Sequence, residues 1–149
     1  MSNKILSYRG LLEDGGQDTI LLSTKKGEVG YRITKFQMMN PEAGASASEL
    51  ESTIKIYKDE QSSIDAEVDF SDNRLLGAGQ LGTHASMGTY PQSTIIVFDQ
   101  EIFNQDIYVT HKNLHGDVAA CNYYMELEVI KLDESQAMVA TLKDIRNDS

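Results

Sequence analysis

The sequence predicts a mainly β protein, an antiparallel β-sandwich or jelly roll of about eight strands with a short C-terminal helix. Three observations carry that reading. Short runs rich in Val, Ile, Tyr, Phe and Thr recur between breaks containing Gly, Pro, Asn or Asp. The clearest run, 120–132, alternates apolar and polar residues with the period of a half-exposed strand. A helical period appears after Asp133, where Met138, Leu142 and Ile145 fall on one stripe.

Residues 4–12 read as a first strand with Leu6, Tyr8 and Leu12 on one face. Asp14-Gly15-Gly16 makes a turn into a second strand over 18–24, which Lys26-Gly27-Glu28 breaks. Residues 30–39 form a third strand. Tyr31 and Ile33 share one parity while Phe36 and Met38 share the other, so a bulge or bend is expected between them. Residues 40–51 are a loop by composition.

In the strand at 52–58, Ile54 and Ile56 face one way and Lys55 and Tyr57 the other. Residues 60–73 are acidic and irregular, with one helical turn expected around 64–68 and a short strand at 74–76. The unbroken apolar run Thr94–Phe98 predicts a strand covered on both faces. Residues 106–111 form another strand. In 120–132, Tyr123, Met125, Leu127 and Val129 point inward, and Tyr124, Glu126 and Glu128 outward. Asp133, with Gln136 three residues on, is placed to cap a helix over 134–146; a strand at 137–142 is the competing assignment.

A chain of 149 residues is the size of one domain, 1–149, able to bury a core without metal or disulfide staples. The formal net charge of −10 argues against a nucleic-acid partner. Lys25-Lys26 is the only adjacent basic pair, and it reads as a solvated turn. No apolar stretch is long enough for a membrane-spanning helix, and the first residues lack the pattern of a secretory leader. The single cysteine, Cys121, rules out an internal disulfide and suits a reducing cytoplasm.

Four motifs invite a chemical reading, and each fails on context. Gly77-Ala78-Gly79-Gln80-Leu81-Gly82 matches G-x-G-x-x-G, but Gly88 and Pro91 block the helix that a dinucleotide site requires. The run reads instead as a glycine loop, or as a strand where backbones approach closely. Asp65, Glu67, Asp69 and Asp72 suggest calcium, yet Phe70 stands at the position of the obligatory turn glycine and Leu76 at that of the closing glutamate. His111 and His115 have a zinc-like spacing but lie in a turn-like stretch, and no cysteine cluster accompanies them. Cys121 as a nucleophile needs a base such as His84 or His111 brought to it by the fold, and as it stands it reads as a small buried hydrophobe. No catalytic residue, metal ligand or cofactor is therefore assigned.

Several stretches resemble a family of small virion-associated structural proteins of marine tailed bacteriophages, including cyanophages. They are Ile5-Leu6-Ser7-Tyr8-Arg9-Gly10, Gly30-Tyr31-Arg32-Ile33-Thr34-Lys35-Phe36, Thr53-Ile54-Lys55-Ile56-Tyr57-Lys58, Thr94–Lys112 and Asn122–Asn147. The resemblance implies a virion component without enzymatic activity, assembled in the host bacterial cytoplasm, and it supplies no defined site. The role expected from it is a capsid decoration or cement protein on the outer head surface. A tail, baseplate or fibre protein that binds a receptor or glycan is the alternative, and a small hydrolase the second alternative.

The expected partners are the major capsid protein or other virion proteins, or further copies of the chain. Interface residues are expected on the terminal arm and an exposed strand, at Ile5, Leu6, Tyr8 and Tyr124, because sheet edges template pairing and tyrosine suits interfaces. Deletion of residues 1–7 is expected to weaken attachment and leave the fold intact.

Overall fold

The computed structural model describes residues 4–22, 29–41, 50–83, 92–114 and 120–131. Eight strands fill them: β1 (Ile5–Leu12), β2 (Gln17–Ile20), β3 (Val29–Met39), β4 (Leu50–Tyr57), β5 (Leu75–Thr83), β6 (Gln92–Val97), β7 (Ile107–Asn113) and β8 (Cys121–Lys131). They form two antiparallel sheets, of order β1-β8-β3 and β2-β7-β4-β5-β6. The predicted C-terminal helix, the Lys25-Lys26 turn, His84 and His115 lie outside the described residues.

The nesting of pairs defines the fold. β1 pairs with β8, β2 with β7 and β4 with β5, which is the winding of a jelly roll. The fourth nested pair is incomplete. β6 lies alongside β3 but its ladder runs to β5, so one sheet has three strands and the other five. An isolated antiparallel bridge between Tyr31 and Phe103 stitches β3 to the connection after β6.

The core lies between the sheets. Tyr31, Ile33, Ile54, Ile56, Val109 and Leu127 are all sealed there. β8 alternates buried and part-exposed residues as its sequence predicts, and Leu6, Tyr8 and Leu12 of β1 face inward with it. The parity switch in β3 is a register shift between Ile33 and Lys35, so one extra residue re-aims Phe36 and Met38 at the core. Gly15 closes the β1–β2 turn with φ 78°, a backbone conformation that a Cβ disfavours.

Four expectations need correction. β6 is an edge strand, not one covered on both faces, and Ile96 is 40% exposed. Its apolar residues suit both sides, but only one side has a sheet to pack on. The second strand stops at Ile20 rather than reaching 24. No helical turn forms at 64–68. The short strand at 74–76 is the start of β5, which continues through the whole glycine motif.

Candidate functional site

The outer faces of the two sheets are built differently. On the five-stranded sheet, Thr53, Lys55 and Tyr57 alternate with the core residues of β4 and are nevertheless buried. The β4–β5 connection folds over Lys55. Its Nζ donates to Asp65 Oδ1 at 2.7 Å and to the Glu67 carbonyl at 2.6 Å, and it sits 5.4 Å from the centre of the Tyr57 ring. Burial opposes the Lys55 charge, but the bonds to Asp65 and Tyr57 outweigh it and raise its pKa. The same bond lowers the pKa of Asp65.

The acidic run is therefore a strap. Asp65, Asp69 and Asp72 each accept the backbone N–H two residues on, at 3.1, 2.9 and 2.9 Å. Such local turns are what Asp provides in a connection of this kind. Arg74 closes the strap through Asp72 at 2.9 Å and Asp59 at 3.6 Å, and Lys58 reaches Glu101 at 3.5 Å. Among the described residues no group of His, Cys, Asp and Glu is arranged to hold a metal ion.

The three-stranded sheet has no such cover among the described residues. The ladders align its outward side chains in four rows across β1, β8 and β3: Ile5–Glu128–Arg32, Ser7–Glu126–Lys35, Arg9–Tyr124–Gln37 and Leu11–Asn122–Met39. The middle is polar and internally paired. Arg32 contacts Glu128 at 2.9 Å, and the Tyr124 hydroxyl donates to Glu126 at 2.7 Å. The Tyr124 pKa is raised, chiefly by that bond. Lys35 Nζ lies 6.0 Å from the centre of the Tyr124 ring.

The ends of the face are apolar. Ile5 is 50% exposed at one end, with Leu11 at 53% and Met39 at 67% at the other. Behind Leu11 and Met39 opens a cavity of about 700 Å³, lined by Gly10, Met38, Ile95 and Tyr123 among others.

The four expected interface residues do not form one patch. Ile5 and Tyr124 share the outer face but stand two rows apart. Leu6 and Tyr8 point to the opposite side and pack against the core. The N-terminal deletion also needs revision. It would remove Ile5–Ser7 from β1 and the Lys4 carbonyl that accepts from Val129, so the deletion reaches into the sheet. Leu11 and Met39 were missed; their signal is an apolar residue on the polar parity of a strand, which only the pairing register brings together.

His111 and Cys121 are both buried in the interior. His111 Nδ1 lies 3.0 Å from the Leu12 carbonyl and 3.1 Å from that of Glu13. Carbonyls only accept, so Nδ1 carries the proton and the imidazole pins the β1–β2 turn to β7. His111 Nε2 has no hydrogen-bond partner, so it takes no proton from Cys121 in this geometry. Burial pushes the Cys121 thiol up to about 11, the reverse of what activates a nucleophile.

No family model matches the sequence, and no curated protein matches it. Among solved structures, the chain is similar to Cocksfoot mottle virus at TM-score 0.37 and 8% identity, over 88% of this chain and 87% of that one. It is similar to the Yersinia pseudotuberculosis-derived mitogen at TM-score 0.32 and 11% identity, over 85% and 86%. A third similar structure is xylanase 10C of Cellvibrio japonicus, at TM-score 0.32 and 17% identity, over 88% of this chain and 25% of that one. The jelly-roll assignment rests on the strand order of the chain itself.

Proposed function

We propose that the protein is a non-enzymatic structural component of a tailed-phage virion, a decoration protein that clamps the outer surface of the head. The observation that carries this reading is the asymmetry of the two outer faces. One is strapped by the chain's own acidic connection, whereas the other presents Leu11 and Met39 beside Tyr124 with no cover among the described residues. Exposed apolar side chains rimmed by polar ones mark a surface for a protein partner. The partner is the major capsid protein, offering an apolar ridge with polar flanks. The resemblance of the sequence to virion-associated proteins supports the same assignment.

Mass spectrometry of purified virions, with cryo-microscopy of the particle, tests the proposal. The expected result is many copies on the head, contacting the shell through Leu11, Met39 and Tyr124. The paired substitution Leu11→Asp with Met39→Asp should release the protein from the particle and leave its fold unchanged. Density confined to the tail would replace the head assignment, and absence from the particle would end the proposal.

A further inference from the structure

We infer that β1 pairs with β1 of a second copy of this chain, antiparallel about a two-fold axis at Tyr8, making one six-stranded sheet from two three-stranded ones. The Val129 N–H donates to the Lys4 carbonyl at 2.7 Å, so Lys4, and every second residue after it, points its backbone groups at β8. The N–H and C=O of Ile5, Ser7, Arg9 and Leu11 then point the other way. On that side β1 has no strand partner among the described residues. A row of backbone donors and acceptors of this kind is a template for another strand.

The other sheet edges suit this less well. β2 has four residues, β3 is engaged at Tyr31 by Phe103, and β6 lies alongside β3.

Side chains select both the occupant and the register. A two-fold pairing that keeps the faces continuous must centre on a residue. Centring on Arg9 would oppose two guanidinium groups, which is unfavourable. Centring on Ser7 would set Arg9 against Ile5 and leave Leu11 beyond the overlap. Centring on Tyr8 pairs Ile5 with Leu11 and Ser7 with Arg9, and it uses the full strand. Ile5 and Leu11, each about half exposed in the single chain, then cover one another at both ends of the seam.

Charge permits this approach here. The formal net charge of −10 opposes self-association on average, but no carboxylate lies between Lys4 and Leu12. The small Ser7 leaves Arg9 of the second copy open to Glu126 on the next strand in. Leu11 serves this seam as well as the proposed capsid contact, so the pairing is tested on the free protein in solution, where the capsid plays no part.

Sedimentation velocity of the full chain over a concentration series tests it, and a shift from monomer to dimer is expected. Ser7→Pro removes an N–H that faces only the free edge, a position where strands tolerate proline. That variant should dimerise at least tenfold more weakly while keeping its melting temperature. Tyr8→Cys places two thiols on a non-hydrogen-bonded pair, about 4.5 Å apart at Cα, within reach of a disulfide. It should give a covalent dimer on oxidation, and Arg9→Cys should not. These cysteine variants carry the test if Ser7→Pro fails to fold. A monomer at every concentration would overturn the pairing, as would a Ser7→Pro dimer of unchanged strength, or cross-linking through Arg9→Cys and not Tyr8→Cys.

Discussion

The Tyr123 hydroxyl on β8 donates to Asp18 Oδ2 on β2 at 2.8 Å, joining the two sheets through residues 105 positions apart. Gly10 makes room for this contact, since a Cβ there would sit 2.9 Å from Tyr123 Cε1 and 3.0 Å from Asp18 Oδ2. Replacing Tyr123 by Phe should lower stability by about 1.5–3 kcal/mol, the range for a hydrogen bond to a charged group. Urea titration measures this. Burial, then the bond to Asp18, holds the Tyr123 pKa above the ordinary value. The unfolded chain can release that proton above about pH 10 while the folded chain holds it. Stability from this group is therefore full below pH 10 and lost as pH rises, and the Phe variant should show a shallower alkaline decline.

The Lys55–Asp65 pair makes the acid-side prediction. The lowered Asp65 pKa contributes stability above the ordinary carboxylate value, and that contribution is lost as pH falls through the folded value. Asp65→Asn should flatten the acid limb of the stability curve below about pH 4 and cost about 1 kcal/mol at neutral pH, because the Asp65 side chain is largely exposed. Lys55→Met should cost about 1–3 kcal/mol, since it leaves Asp65 and the Glu67 carbonyl without the donor that holds the strap in place. Thermal melts from pH 2 to pH 8 would measure both.

Gly79 tests the reading of the glycine motif. An added Cβ would collide with Met38 Sδ and lie 3.2 Å from Phe36 Cε2. Gly79→Ala should cost about 1 kcal/mol, the low end for overpacking, because the flexible Met38 side chain can give way while the Phe36 ring has less room. Restoring space with Met38→Ala in the same chain should recover part of that loss, and a double-mutant cycle by urea titration measures the recovery.

Cys121 should be inert in the folded protein. With the thiol pushed up to about 11, the thiolate fraction at pH 8 is roughly a hundredfold lower than for a free cysteine. Labelling with a maleimide should therefore run at least that much slower in buffer than in denaturant. Equal rates would show that β8 opens readily at its start.

Legibility in the sequence followed how directly a residue reports its own surroundings. The alternation of Tyr123, Met125 and Leu127 reads the core face of β8, because a two-residue period has one structural cause. The parity change between Ile33 and Phe36 reads the bulge in the same way. Thr94–Phe98 misled, because an apolar run reports what its side chains tolerate and not whether a second layer lies over them. Gly77 and Gly79 carry no side chain to place, so their strand is set by β4 and β6 on either side.

The candidate face was half legible. Tyr124 was readable as outward, but its alignment with Arg9 and Gln37 depends on two ladders between distant segments. The role of Lys55 and Asp65 was hidden for a related reason. A lysine on the outward parity of a strand looks solvated until the connection that follows folds back over it.

The nested winding also sets a schedule for synthesis. β1 leaves the ribosome first among the described strands, yet its ladder partner is β8, made more than a hundred residues later. At ordinary translation rates that delay is roughly 5–25 s. During it the apolar inner side of β1 has no sheet to rest on, and both of its edges are open. Nascent chains on one message are close neighbours through that interval, so β1 is, of the described strands, the one most exposed to pairing with a sister chain before its own fold is complete.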